Sequence, residues 1–307
     1  MNLHHLLSIA DLSAAQLASL LEQSQVLRDS ALTGTQHRHV LAGKTVCTLF
    51  FEPSTRTRSS FQLAATRLGA DVLNFDAQYS SGKKGETAID TMRNLEAMGV
   101  DCFVVRTGID GELQALANAA KTTTHFINAG DGRSNHPTQA LLDMLSIRQH
   151  KGNNFSALKT LMVGDILHSR VARSDLQALQ LLGMGEIRVC GPDSLLPSDG
   201  TLSACKRFVD LNEAMQGVDV IMMLRLQQER MSEGLVNSLE SYSAEYGLSA
   251  QRVALAKPDA MVMHPGPMNR GVEISSAVAD GPQSVILEQV SNGVAVRMAV
   301  LQAVFGQ

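Results

Sequence analysis

The chain has 307 residues and a net charge of −4, with 44% hydrophobic and 18% charged side chains. That balance suits a globular protein with ample apolar material for its cores and argues against a general polyanion binder. Length alone favours about two domains, and any anion must be caught by a local cluster of cations.

The opening MNLHHLLSIADLS has no basic leader and no long apolar stretch, and no run approaches the ~20 apolar residues of a membrane span. Cys47, Cys102, Cys190 and Cys205 form no C-x-x-C pair and lie in or near apolar segments. Reduced, mostly buried thiols in a cytoplasmic protein are the expectation.

Helical and strand patterns alternate along the chain. Ser13 suits the cap of a helix whose apolar face is Leu17, Leu20, Leu21 and Leu27. KTVCTLFF, Lys44–Phe51, reads as a buried strand, followed by a helix with Phe61, Ala64, Ala65 and Leu68 on one face. Gly69 ends that helix, and strand Asp71–Phe75, helix Glu86–Gly99 and strand Asp101–Val105 follow. A short helix near Gly111–Ala119 and strand His125–Ala129 complete the first series. A longer helix opens at His136-Pro137, where proline fits the first turn, and runs to about His150. The polar stretch Gln149–Ser156 reads as a connector. A second series then brings strands Lys159–Asp165, Glu186–Cys190, Asp219–Leu224 and Ala260–Pro265, and a terminal helix from about Gln283 to Phe305.

Such alternation predicts parallel sheets covered by helices. Two series predict an α/β protein of two doubly wound parallel-sheet domains, with the active site in the cleft between them. Residues 1–135 form the first and 136–284 the second, and the C-terminal helix, about 285–307, packs back on the first. Open sheets of this kind bind ligands beyond the carboxyl ends of their strands, so the loops that follow strands are where chemistry is sought.

The first such loop reads FEPSTRTRSSF. Ser54, Thr55, Arg56 and Thr57 stand between an apolar strand and an amphipathic helix. A helix terminus offers unpaired N–H groups and a favourable dipole, the hydroxyls add donors, and the arginine adds a planar cationic fork. An anion cradle, most simply for phosphate, is one reading; a capped helix with solvated arginines is the other. Neither a G-x-x-x-x-G-K-[ST] loop nor G-x-G-x-x-G occurs, so nucleotide binding has no support.

Further loops weigh on the choice. Arg106 directly follows a strand. His136 and Gln139 open a helix, either as a capping arrangement or as a neutral imidazole and an amide aimed at a carbonyl. SSGKKGET carries Lys83 and Lys84, as a solvated basic loop or an arm that closes over an anion. Arg170 and Arg173 follow one strand of the second series, and Arg225 and Arg230 another. HPGPMNRG is a stiff turn around Gly266 and Pro267. Cations at sheet ends in both halves of an acidic chain suit a reaction between two anionic small molecules.

FEPSTRTRSSF, SSGKKGET, HPTQALLDM, RLQQER and HPGPMNRG together resemble the aspartate/ornithine carbamoyltransferase family, colinearly and over essentially the whole chain. K-K-G-E-T and R-x-Q-x-E-R are similar to its aspartate-specific branch. The resemblance implies transfer of a carbamoyl group from carbamoyl phosphate to the amine of L-aspartate, in pyrimidine biosynthesis, with no cofactor and no metal. It implies a carbamoyl phosphate site of Ser54, Thr55, Arg56, Thr57, Arg106, His136, Gln139, Gly266 and Pro267, with Arg56, Thr57, Arg106 and His136 catalytic. Gly266 stands where some members have leucine; the family uses the backbone carbonyl there. The implied aspartate site is Lys84, Arg170, Arg225 and Gln227. Ser80 and Lys84 match residues donated by the neighbouring subunit of a homotrimer, and Glu52 and Arg230 match residues that hold the domains closed. The resemblance also admits a regulatory chain or a dihydroorotase partner, and implies neither nucleic acid nor membrane. The ornithine branch carries a cysteine in an H-C-L-P motif; the segment here is His264-Pro265-Gly266-Pro267. A carbamoyltransferase for another amino acid, such as ornithine, and a non-catalytic anion-binding homologue are the rival readings.

Overall fold

A computed structural model describes residues 2–76, 86–227 and 238–307. The chain divides into two compact units, Met1–Leu145 with Val290–Gln307, and Ser146–Gln289. The first division falls later than the boundary at 135 suggested by the sequence, inside the helix that opens at Pro137.

The first unit opens with α1 (Ala14–Thr33), capped by Ser13 and Gln16 acting reciprocally, and buries Leu17, Leu20, Leu21 and Leu27 as its spacing predicts. It continues through β1 (Thr45–Phe50), α2 (Thr55–Leu68), β2 (Asp71–Asp76), α3 (Ala88–Ala97), β3 (Cys102–Thr107), α4 (Glu112–Ala119), β4 (His125–Asp131) and α5 (Pro137–Lys151). The strands run parallel in the order β2-β1-β3-β4. The near-continuous apolar runs of β1 and β3, the two interior strands, follow from burial on both faces. Cys47, Leu49, Phe103, Val105 and Phe126 join Met92, Leu95, Leu113 and Leu116 in one core. Each large apolar side chain buried this way contributes roughly 1.5–3 kcal/mol. At the C-cap of α2, Gly69 adopts φ 88°, and a Cβ there would stand 1.7 Å from the Arg38 carbonyl oxygen, so only glycine fits.

The second unit runs β5 (Lys159–Val163), α6 (Arg170–Leu181), β6 (Glu186–Cys190), β7 (Lys206–Phe208), α7 (Leu211–Ala214), β8 (Val220–Met223), α8 (Leu239–Tyr246), α9 (Ala250–Val253), β9 (Met261–Met263) and α10 (Ser276–Ala279). Its sheet is parallel, in the order β7-β6-β5-β8-β9. Strand β7 was not expected from sequence. It lies at the sheet edge with Lys206 and Arg207 exposed, so it lacks the apolar run that marks an interior strand such as β8. Helix α11 (Ile286–Val304) begins in this unit and ends in the first, where Leu3 donates its N–H to the Ala303 carbonyl at 2.9 Å and Arg28 donates to Asn292 at 3.2 Å.

Among the described residues no helix is long and apolar enough to cross a membrane. Cys47, Cys102 and Cys190 are free and buried, and burial raises their thiol pKa values, to about 12 for Cys47 and Cys190, which leaves them unreactive.

Candidate active site

Strand order fixes where each unit can hold a ligand. In the first sheet β1 has β2 on one side and β3 on the other, so successive crossovers leave in opposite directions and open a crevice between the carboxyl ends of β1 and β3. In the second sheet the same reversal lies between β5 and β8. Arg56 follows β1 and Arg106 lies at the end of β3 at the first, and Arg170 and Arg225 follow β5 and β8 at the second.

In the first unit, β1 and β3 end side by side, with Phe50 paired to Arg106 and the Phe51 N–H donating to the Arg106 carbonyl at 2.8 Å. Ser54 is the N-cap of α2, yet its side chain makes no capping hydrogen bond, and the first turn contains no acidic residue. The terminus thus keeps its donors and its positive dipole end for an incoming anion. Thr57 is buried and Thr55 and Arg56 are exposed. The Arg106 guanidinium donates through Nη1 to the Ala129 carbonyl at 3.1 Å, and its Nε lies 3.5 Å from Glu52 Oε2. A Cβ on Gly108 would fall 2.8 Å from Glu52 Oε1, so that glycine leaves room for the carboxylate. Glu52 is therefore held beside Arg106, inside the first unit.

His136 and Gln139 come from the start of α5, which follows β4, the strand paired with β3. Both are buried. Gln139 donates through Nε2 to both carboxylate oxygens of Asp143, at 3.1 and 3.2 Å, one turn further along the helix. Asp143 was present in the H-P-T-Q-A-L-L-D-M stretch but drew no attention there.

In the second unit, the loops after β5 and β8 meet. Gln227 donates to the His168 carbonyl at 3.1 Å, and His168 Nδ1 lies 2.8 Å from Asp165 Oδ1. Asp165 is fully buried. Burial raises its pKa, opposed by hydrogen bonds from the His168 and Gln227 backbone N–H groups and by His168 itself. Asp165 and His168 thus order the strand-end loops, and neither was singled out from sequence. The available signal was their i, i+3 spacing just after a strand. Arg170 is buried at the first position of α6, whose N-cap Ser169 accepts from the Ala172 N–H, and Arg225 is partly exposed. Arg173 belongs elsewhere, 3.3 Å from Thr201 Oγ1 and 3.8 Å from an Asp199 oxygen.

The turn at Gly266 is stiff, as expected. His264 Nδ1 accepts the Gly266 N–H at 2.8 Å, so Nε2 carries the ring proton and donates to Glu273 Oε1 at 3.2 Å. Glu273 Oε1 also accepts the Asn269 N–H at 2.6 Å, and the Gly266–Pro267 peptide is cis. Ser80, Lys84 and Arg230 lie outside the described residues. Among the described residues no group of three or more His, Cys, Asp or Glu side chains is placed to hold a metal ion.

Similarity to known proteins extends over nearly the whole chain. Residues 4–149 match the family model described as "Aspartate/ornithine carbamoyltransferase, carbamoyl-P binding domain", and residues 156–304 match "Aspartate/ornithine carbamoyltransferase, Asp/Orn binding domain". A relative from Stenotrophomonas maltophilia, an aspartate carbamoyltransferase catalytic subunit, is 63% identical over 99% of this chain and 96% of its own length. One of the same description from Xanthomonas euvesicatoria is also 63% identical, with the same coverage. The crystal structure of Trypanosoma cruzi aspartate transcarbamoylase in complex with carbamoyl phosphate and aspartate superposes with a TM-score of 0.88 at 32% identity, over 98% of this chain and 97% of that one. Ornithine carbamoyltransferase from Pyrococcus furiosus gives a TM-score of 0.87 at 30% identity, over 99% and 97%. With both domain models matched in order and full-length relatives this similar, the chain belongs to the aspartate/ornithine carbamoyltransferase family.

Proposed function

We propose that this enzyme transfers the carbamoyl group of carbamoyl phosphate to the amino group of L-aspartate, giving N-carbamoyl-L-aspartate and phosphate, a step of pyrimidine biosynthesis. The observation that carries the reading is the open terminus of α2, free of first-turn carboxylates and placed beside Arg106 at the strand-order reversal. It suits a dianionic phosphate. The 63% identity to relatives described as aspartate carbamoyltransferase catalytic subunits supports the amino-acid choice.

In this reading the first unit binds carbamoyl phosphate and the second binds aspartate. Ser54, Thr55, Arg56 and Thr57 hold the phosphate. Thr57, Arg106 and His136 stabilise the carbonyl oxygen as it gains charge, and Gln139 with the Gly266 and Pro267 backbone receives the carbamoyl amide. Arg170, Arg225, Gln227 and Lys84 receive the aspartate carboxylates. The amine nitrogen attacks the carbamoyl carbon, the bond from that carbon to the phosphate oxygen breaks, and the departing phosphate takes the amine proton. No side-chain nucleophile is required, and positioning and electrostatics supply the rate. Glu52 and Arg230 act in closure. The working assembly is a cytoplasmic homotrimer in which Ser80 and Lys84 serve the neighbouring subunit's site.

A radiochemical assay with labelled carbamoyl phosphate tests the reading. Label should appear in N-carbamoyl-L-aspartate when L-aspartate is supplied. Transfer to L-ornithine instead, or to neither amino acid, would overturn it.

A further inference from the structure

Three residues lying beyond the phosphate cradle form a chain that leads back to it. Arg297, on α11, is 4% exposed, and its guanidinium carbon lies 5.0 Å from the centre of the Phe61 ring on α2, the helix that opens with the cradle. Gly293, one turn earlier on α11, provides the space; a Cβ there would stand 2.5 Å from Arg297 Nη1. Burial lowers the Arg297 pKa to about 10 and the charge of Asp143 opposes the shift, so the guanidinium stays cationic at neutral pH. Asp143, fully buried, in turn accepts from Gln139 through both its oxygens.

A carboxylate accepts hydrogen bonds and cannot donate them. Beside Asp143, the Gln139 amide must therefore present its NH2 end to the carboxylate and turn its carbonyl oxygen away. Without a fixed acceptor, the two ends of a glutamine amide are nearly equal in shape and the group is free to flip. We propose that Asp143 is a positioning residue that sets the Gln139 amide as a hydrogen-bond acceptor for the N–H groups of a carbamoyl moiety. Asp143 and Arg297 touch no substrate in this scheme. They decide which acyl phosphate is preferred: one bearing an amide NH2, over one bearing a methyl group in the same place.

The inference rests on the carbamoyl phosphate reading above, and binding measurements separate the two. Calorimetric titration of the full chain with carbamoyl phosphate, acetyl phosphate and inorganic phosphate is the test. Asp143→Asn keeps the shape but lets either end of the Gln139 amide face residue 143. It should weaken carbamoyl phosphate by about three- to tenfold, the worth of one hydrogen bond, and leave acetyl phosphate and inorganic phosphate within twofold of the unaltered chain. In a Gln139→Leu background the same substitution should cost nothing further, because its effect passes through Gln139. If Asp143→Asn alone does not fold, Asp143→Asn with Arg297→Met removes both buried charges together, a change buried ion pairs often tolerate, and should give the same pattern. Equal weakening of all three ligands, unchanged carbamoyl phosphate binding, or an undiminished loss in the Gln139→Leu background would overturn the proposal. An unaltered chain that binds no carbamoyl phosphate overturns both readings. One that binds it without forming N-carbamoyl-L-aspartate overturns only the functional reading, and the comparison of variants still decides this one.

Discussion

Replacing Arg56 by alanine is the sharpest probe of the cradle. Arg56 is the second residue of α2 and is exposed, so its loss removes charge without opening a core cavity, and the thermal midpoint should hardly move. A guanidinium gives a phosphate up to two parallel hydrogen bonds, each worth roughly 1.5–3 kcal/mol when charged. An exposed guanidinium must first shed water, so the lower part of that range applies, and the pair contributes about 3–4 kcal/mol. At ~1.4 kcal/mol per factor of ten, the expected loss in kcat/KM for carbamoyl phosphate is roughly 100- to 1000-fold. Binding should not vanish, because the backbone N–H groups and dipole of α2 remain, and these contribute about 0.3–1 kcal/mol toward an anion. The assay is initial-rate formation of N-carbamoyl-L-aspartate at saturating aspartate, with inorganic phosphate inhibition measured in parallel. Both should weaken together, since both ligands share the phosphate. A loss below threefold, or a loss for carbamoyl phosphate with phosphate inhibition intact, would refute the assignment of Arg56.

Other expectations address the second unit, the assembly and the N-terminal segment. Arg225→Ala should raise the KM for aspartate at least tenfold, one charged hydrogen bond or more, while inorganic phosphate binding to the free enzyme stays unchanged; equal losses for both ligands would mean a structural role. If Lys84 serves the neighbour's site, inactive Arg56→Ala and Lys84→Gln chains, dissociated and reassociated together, should form hybrids with one native site per trimer, roughly a third of full activity, by cyclic symmetry. Verified hybrids that stay inactive would rule out the shared site. His5 Nδ1 accepts the Phe126 N–H at 3.1 Å, and burial, with the nearby His4 and His125, lowers its pKa from 6.5 to about 4. The folded state binds that proton less readily than the unfolded state. Its contribution to stability is therefore complete above pH 6.5 and is lost as pH falls from there toward 4. Urea midpoints should fall across this window, and less steeply in His5→Gln, which keeps an acceptor that does not titrate; identical slopes would exclude the role.

How much was legible depended on how local each signal is. Strands β1, β3 and β8 announce themselves as short apolar runs because parallel strands are buried on both faces. Strand β7 escaped because an edge strand of Lys206, Arg207 and Phe208 needs no such run. Short α7, α9 and α10 span about one turn each and leave no periodicity to read. The same distinction governs the site. Ser54–Thr57 stood out because hydroxyl and cationic side chains cluster there at a strand-to-helix junction, although the stretch by itself read equally as a helix cap. The Gln139–Asp143 pair was one helical turn apart and readable in principle. Arg297 was not: its relation to Asp143 and Phe61 exists only once α11 lies against α2 and α5. Asp165 and His168 were hidden for a different reason, since an acidic residue at a strand end reads as a turn former until its burial is known.

The placement of carboxylates gives the cradle an order of events. Arg106 has Glu52 beside it, at 3.5 Å, so part of its field is already neutralised in the unliganded chain. The first turn of α2 has no acidic residue, and its N-cap hydroxyl is not spent on the helix. An approaching dianion therefore meets the positive end of the α2 dipole with no first-turn carboxylate against it, and a damped potential at Arg106. On the proposed reading, capture begins at the phosphate end of the substrate. Full use of Arg106 on the carbamoyl oxygen then requires Glu52 to give way, because a carboxylate and a developing oxyanion compete for the same donors. On that reading, phosphate recognition and transition-state stabilisation fall to different places: the first to a helix terminus that carries no first-turn carboxylate, the second to an arginine that has Glu52 beside it.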